Sequence, residues 1–148
     1  MTLGALGRSE DWRDRAAAGH SPAGFAETPE AVEPLIGLVL DPGDTFVTRR
    51  TAEGLLRRED EVGPTIVASA LAVADAPHAD GIHTAIVDVV STFSDDPDEA
   101  LRLCGELSGG TDVRVAGGAR RLHASLTEID PVVRPSERRR SLVRWCGR

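Results

Sequence analysis

Aromatic residues make up only 3% of the 148-residue chain, and tyrosine is absent. That scarcity argues against a β-sandwich core and against a surface built to stack bases. Lysine and asparagine are also absent, so apart from four histidines every basic residue is arginine. Tyrosine, lysine and asparagine all have AT-rich codons. Their absence fits a GC-rich bacterial genome and gives the arginine bias no functional meaning. Only two cysteines occur, Cys104 and Cys146, at a separation that matches neither a metal site nor a redox motif. No apolar run approaches the ~20 residues that a membrane span needs. No basic-then-apolar leader opens the chain, so a cytoplasmic location is expected.

Charge is plentiful but unevenly placed. The formal net charge is −7. From Arg134 onward six arginines face a single glutamate, a net of +5, which leaves −12 on the preceding 133 residues. An acidic body repels nucleic acid and anionic membrane, whereas a basic tail attracts them.

The stretch from Thr28 to Asp60 sets the architecture. Val32, Leu35, Ile36, Val39 and Leu40 fall on one helical stripe. Asp41-Pro42-Gly43-Asp44 is all turn formers. A second stripe follows with Val47, Thr51, Ala52, Leu55 and Leu56, opposite Arg49, Glu53 and Arg57. Two amphipathic helices joined by a four-residue turn make an antiparallel hairpin.

Further helices read along the chain in the same way. One over roughly Asp11 to Ala26 is capped by Ser9 and bent by Pro22. One restarts at Gly63-Pro64, another at Pro77, and Asp95-Asp96-Pro97-Asp98-Glu99 opens the next with a cap, a first-turn proline and carboxylates against the dipole. Ser108-Gly109-Gly110 ends that helix. Thr111 caps a last one, which Asp130-Pro131 stops. No alternating strand pattern competes with these helices. Residues 1–8 are expected to be disordered, 9–130 to form one domain, and 131–148 to be a basic tail.

The second helices resemble one another. Asp11 to Ala17 aligns with Asp112 to Ala116, and looser copies begin at Thr45 and Gly81. Their anchors Trp12, Val47, Ile82 and Val113 are spaced 35, 35 and 31 residues apart. A recurring two-helix unit of that length marks an α-solenoid, in which stacked hairpins share one core. The pattern resembles HEAT-repeat proteins: an apolar first helix, an Asp-Pro turn, then an aliphatic-Arg pair and small alanines. Arg13 and Arg114 match the second-helix arginine of that family, Thr48 and His83 stand in its place in the middle units, and Asp41 resembles the turn aspartate. The resemblance covers about Asp11 to Ile129. It implies an all-α, short right-handed solenoid of about seven helices and three and a half repeats.

No chemistry-bearing constellation accompanies this pattern. His78 and His83 are five apart and do not share a helical face, which argues against a metal pair. The carboxylate clusters Glu59-Asp60-Glu61, Asp95-Asp96 and Asp98-Glu99 sit where caps and solubility explain them. No glycine run has the strand and Lys-Ser/Thr of a phosphate loop. Cys104 lies on an apolar stripe, as a buried thiol does. Gly117-Gly118 inside a helix fits either tight packing of neighbouring helices or a weak last repeat, the second being slightly favoured.

No catalytic residue, cofactor or metal is therefore expected. The resemblance instead implies binding of another protein along the second helices: Arg49, Arg50, Glu53 and Arg57, then His83 and Asp88, then Arg114 and Arg121. The tail, with Arg138, Arg139, Arg140 and Trp145, reads as a docking peptide, a cap on the last repeat, or a disordered end. Two other activities occur among HEAT-like proteins. Nucleic-acid binding of the DNA-repair type is disfavoured by the acidic body, and bilin attachment by the lack of clustered polar residues.

Overall fold

Acidic residues placed just before helical runs set most of the boundaries. The structure, a computed structural model, describes residues 5, 7–20, 26–58, 60–92 and 97–133. Among these are seven helices and no strand: α1 Trp12–His20, α2 Pro29–Val39, α3 Thr45–Leu56, α4 Val62–Leu71, α5 Ala76–Thr92, α6 Pro97–Ser108 and α7 Val113–Val133. The chain is all-α, as its periodicity predicts. Pro29 opens α2, where a missing N–H costs no hydrogen bond. Asp44 caps α3 by accepting from the Phe46 amide at 2.8 Å. Asp60 caps α4, accepting from Val62 and Gly63, and Asp75 caps α5 through the His78 amide at 3.1 Å.

Three boundaries differ from the sequence reading. Asp11, not Ser9, caps α1, accepting from the Arg13 amide at 2.8 Å. Asp112, not Thr111, caps α7, accepting from Arg114 and Val115. In both cases a carboxylate stands directly before the first helical residue, so its oxygen reaches the orphan amides. Asp130-Pro131 does not stop α7, which runs on to Val133. A proline near a helix end removes one hydrogen bond and leaves the last turn able to continue. The proposed extension of α1 beyond His20, through Pro22, lies outside the described residues, as do residues 1–4 and the tail from Arg134.

Helices α1, α3 and α5 lie side by side with α3 in the middle. They run in one direction. Trp12 meets Phe46 and Gly19 meets Thr51 between α1 and α3, while Thr48 meets Gly81 and Arg49 meets Asp88 between α3 and α5. Behind them α2 and α4 pack on each other and on α3. The last hairpin attaches differently: α7 lies against α4, and α6 packs chiefly on α7. Leu35, Val39, Leu55, Val67, Ile82, Ile86 and Leu122 are buried in one cluster shared by these layers. Each such side chain contributes about 1.5–3 kcal/mol by leaving water.

Small residues fix how closely the helices approach. A Cβ on Gly19 would fall 1.8 Å from Thr51 Oγ1, and one on Gly118 would fall 1.7 Å from the Ala68 carbonyl oxygen. Gly118 is therefore the contact that lets α7 lie on α4, rather than the mark of a weak repeat. Gly117, by contrast, would meet nothing within 4 Å. The spacing expected from Trp12, Val47 and Ile82 also fails at Val113. Val47 and Ile82 are fully buried, whereas Val113 is 83% exposed and α7 buries Ala116, Ala119, Leu122 and Leu126 instead.

Candidate functional site

The α3 helix with its cap residue Arg57, and α5, carry six of the anticipated residues. Arg49 of α3 reaches Asp88 of α5, with Nε donating to Oδ2 at 2.9 Å. Both side chains remain part-exposed. Arg50 donates to Glu53 at 2.6 Å, and Arg57 pairs with the other oxygen of the same carboxylate. Glu53, expected opposite the apolar stripe and open to a partner, has a side chain only 8% exposed. The reason is the position of α3, which packs on α1, α2, α4 and α5. Two arginines at i−3 and i+4 neutralise the buried carboxylate. His83, on α5, is half-buried.

The remaining anticipated residues are elsewhere. Arg114 and Arg121 of α7 donate to the Ser69 and Leu71 carbonyls, at the end of α4. There they satisfy orphan acceptors at the negative end of the α4 dipole. Arg114, Arg121 and the α3–α5 residues thus belong to two separate places. Arg138, Arg139, Arg140 and Trp145 lie outside the described residues.

The sequence reading missed a polar junction at Asp41. The partner of this aspartate is Arg15, not Arg13: Nε donates to Oδ2 at 2.7 Å, and both side chains are largely buried. Asp41 Oδ1 also accepts from the Gly43 and Asp44 amides at 3.0 and 2.9 Å, which folds the turn between α2 and α3. The Asp41 hydrogen bond is the main reason the Arg15 guanidinium holds its proton more tightly than usual. Arg13 instead places its guanidinium 4.6 Å from the Trp12 ring centre. Thr48, where the HEAT resemblance led to an arginine being expected, has no exposure and packs near Gly81, where a long side chain has no room.

His78 of α5 completes the junction. Its Nε2 lies 2.9 Å from the Asp41 carbonyl oxygen, and its Nδ1 contacts the Asp75 carboxylate. The carbonyl of Asp41 and then the carboxylate of Asp75 raise the imidazole pKa against the opposing effect of burial. An open cleft of about 640 Å³ runs past the same turn, lined by Arg8, Arg15, Glu33, Leu38 and Asp41 among others.

Cys104 is not poised as a nucleophile. Burial pushes the Cys104 thiol up to about 11, so almost none of it is thiolate at neutral pH. Among the described residues no group of three His, Cys, Asp or Glu side chains is placed to hold a metal ion. No described helix is long and apolar enough to cross a membrane. No family model, no curated protein and no solved structure matches the chain.

Proposed function

We propose that this chain is a HEAT-like interaction module: a short right-handed solenoid that acts as a non-enzymatic scaffold or adaptor in the cytoplasm. The observation that carries this reading is the parallel layer α1–α3–α5, joined helix to helix by Gly19–Thr51, Thr48–Gly81 and Arg49–Asp88. Side-by-side second helices give an extended surface of the kind that repeat proteins use to hold partners. On this reading α6 and α7 are the terminal unit, with a docking geometry of their own. The partner is another protein. Arg49, Arg50 and Arg57 all face carboxylates of their own chain, which reduces their use for gripping phosphates.

The test is affinity capture of the full chain from its own host, beside an Arg49→Ala/Asp88→Ala variant and a chain ending at Val133. One stoichiometric protein, lost with the α3–α5 variant, supports the reading. Loss only on truncation moves the contact to the tail. Recovery of nucleic acid that salt removes overturns the protein-partner assignment.

A further inference from the structure

His78 has an acceptor at each ring nitrogen, and neither acceptor has a proton to give. The Asp41 carbonyl can only accept, and the Asp75 carboxyl stays ionised because the His78 amide and ring lower its pKa. A neutral imidazole carries one N–H, so one of its two contacts would set lone pair against lone pair. The imidazolium satisfies both.

The contacts join separate parts of the fold. Asp75 belongs to the start of α5. Asp41 belongs to the turn between α2 and α3, and its carboxylate holds Arg15 of α1. One hydrogen-bonded chain, Arg15–Asp41–His78–Asp75, therefore ties α1, the α2–α3 turn and α5 together. We propose that His78 is a pH-sensitive latch that fixes α5 to the α2–α3 turn when protonated and loosens that joint when neutral. The latch acts on the relative placement of α1, α3 and α5, and it stands whatever partner the chain binds.

The surrounding charges agree with this assignment. Asp75 and Asp41 attract the imidazolium, while Arg15 is already engaged on the far side of Asp41. Asp44 caps α3 nearby, and Asp80 is exposed on the next turn of α5. The α4 helix contains no charged residue. Arg49, Arg50 and Glu53 of α3 are paired with Asp88 or with one another further along that helix. Arg114 and Arg121 of α7 are directed to the end of α4.

The sign follows from the raised pKa. A group that binds its proton more tightly in the folded chain adds stability below its unfolded value, about 6.5 for histidine, and loses it as pH rises through the folded value. The experiment is an NMR titration of the full chain, with His78→Gln used to assign the His78 ring signals. The latch predicts that His78 titrates above its value in the urea-unfolded chain. It also predicts that the amides of Gly43 and Asp44 shift with the same midpoint. Asp75→Asn should lower that midpoint while leaving the helical signal intact. The urea midpoint of the wild type should fall over the same pH window, and this fall should be smaller in His78→Gln. A His78 midpoint at or below the unfolded value overturns the proposal, as do turn amides that ignore the titration.

Discussion

The molecule is held together in two different ways, and the contrast separates α1–α5 from α6–α7. In the first region, neighbouring helices are joined by side chains of opposite charge and by a buried aspartate that serves two helices and a turn. In the second, α7 is attached through a glycine laid against backbone and through two arginines on the carbonyl end of α4. Both regions are helical hairpins with similar turn and cap signals. What differs is how each hairpin meets its neighbour, and that depends on a few small or charged residues.

The largest expected effect is in the first region. Asp41→Ala removes a buried acceptor from two turn amides and leaves Arg15 without its carboxylate, a loss of about 3 kcal/mol by urea unfolding. An effect below about 1 kcal/mol would show that the junction is dispensable. Next comes the α4–α7 seam. Gly118→Ala forces a Cβ into the Ala68 carbonyl, for about 1–3 kcal/mol of destabilisation. Hydrogen exchange should then rise in α6 and α7 before α1–α3, because those helices depend on the seam.

Smaller effects sharpen the same contrast. The Thr48 and Thr51 hydroxyls are buried without a hydrogen-bond partner. Thr51→Val replaces an unsatisfied oxygen by a methyl of similar shape, and thermal or urea unfolding should register a gain of about 1 kcal/mol. Gly117→Ala has open space around it and should stabilise α7 by roughly 0.5–1 kcal/mol. Opposite signs at Gly117 and Gly118, one residue apart, would place the α4–α7 contact on a single side of α7. Acid gives a separate signal. Arg58 chiefly lowers the Asp60 pKa, and the α4 amides add to the effect. The Asp60 contribution to stability is present above the ordinary carboxylate value and lost as pH falls through the lowered one.

Much of the element order was legible because turn and cap residues act locally. Asp41-Pro42-Gly43-Asp44 marks the α2–α3 turn, and α6 begins at Pro97 where the acidic-proline signal places it. The missed features depend on helical phase and on neighbours distant in sequence. Arg13 and Arg15 are two residues apart, which is about 200° around a helix, so choosing between them requires knowing where Asp41 lies. Glu53 has the pattern of a surface residue on its own helix and is buried by the helices on either side. In the sequence His78 reads as loop or surface polarity, with a metal pair as the alternative. Its actual partners, one of them a backbone carbonyl 37 residues away, leave no trace in composition or spacing. Val113 fits the repeat spacing but not the packing, because α7 docks on α4 with a different face.

The proposed scaffold function makes the α1–α3–α5 layer the surface that holds a partner. The most direct measurement is amide hydrogen exchange of the chain alone and in the complex recovered from its host. Protection gained on the exposed sides of α3 and α5, around Arg49, Arg57 and Asp88, is the predicted result. Protection confined to α6 and α7, with α3 and α5 unchanged, would contradict it.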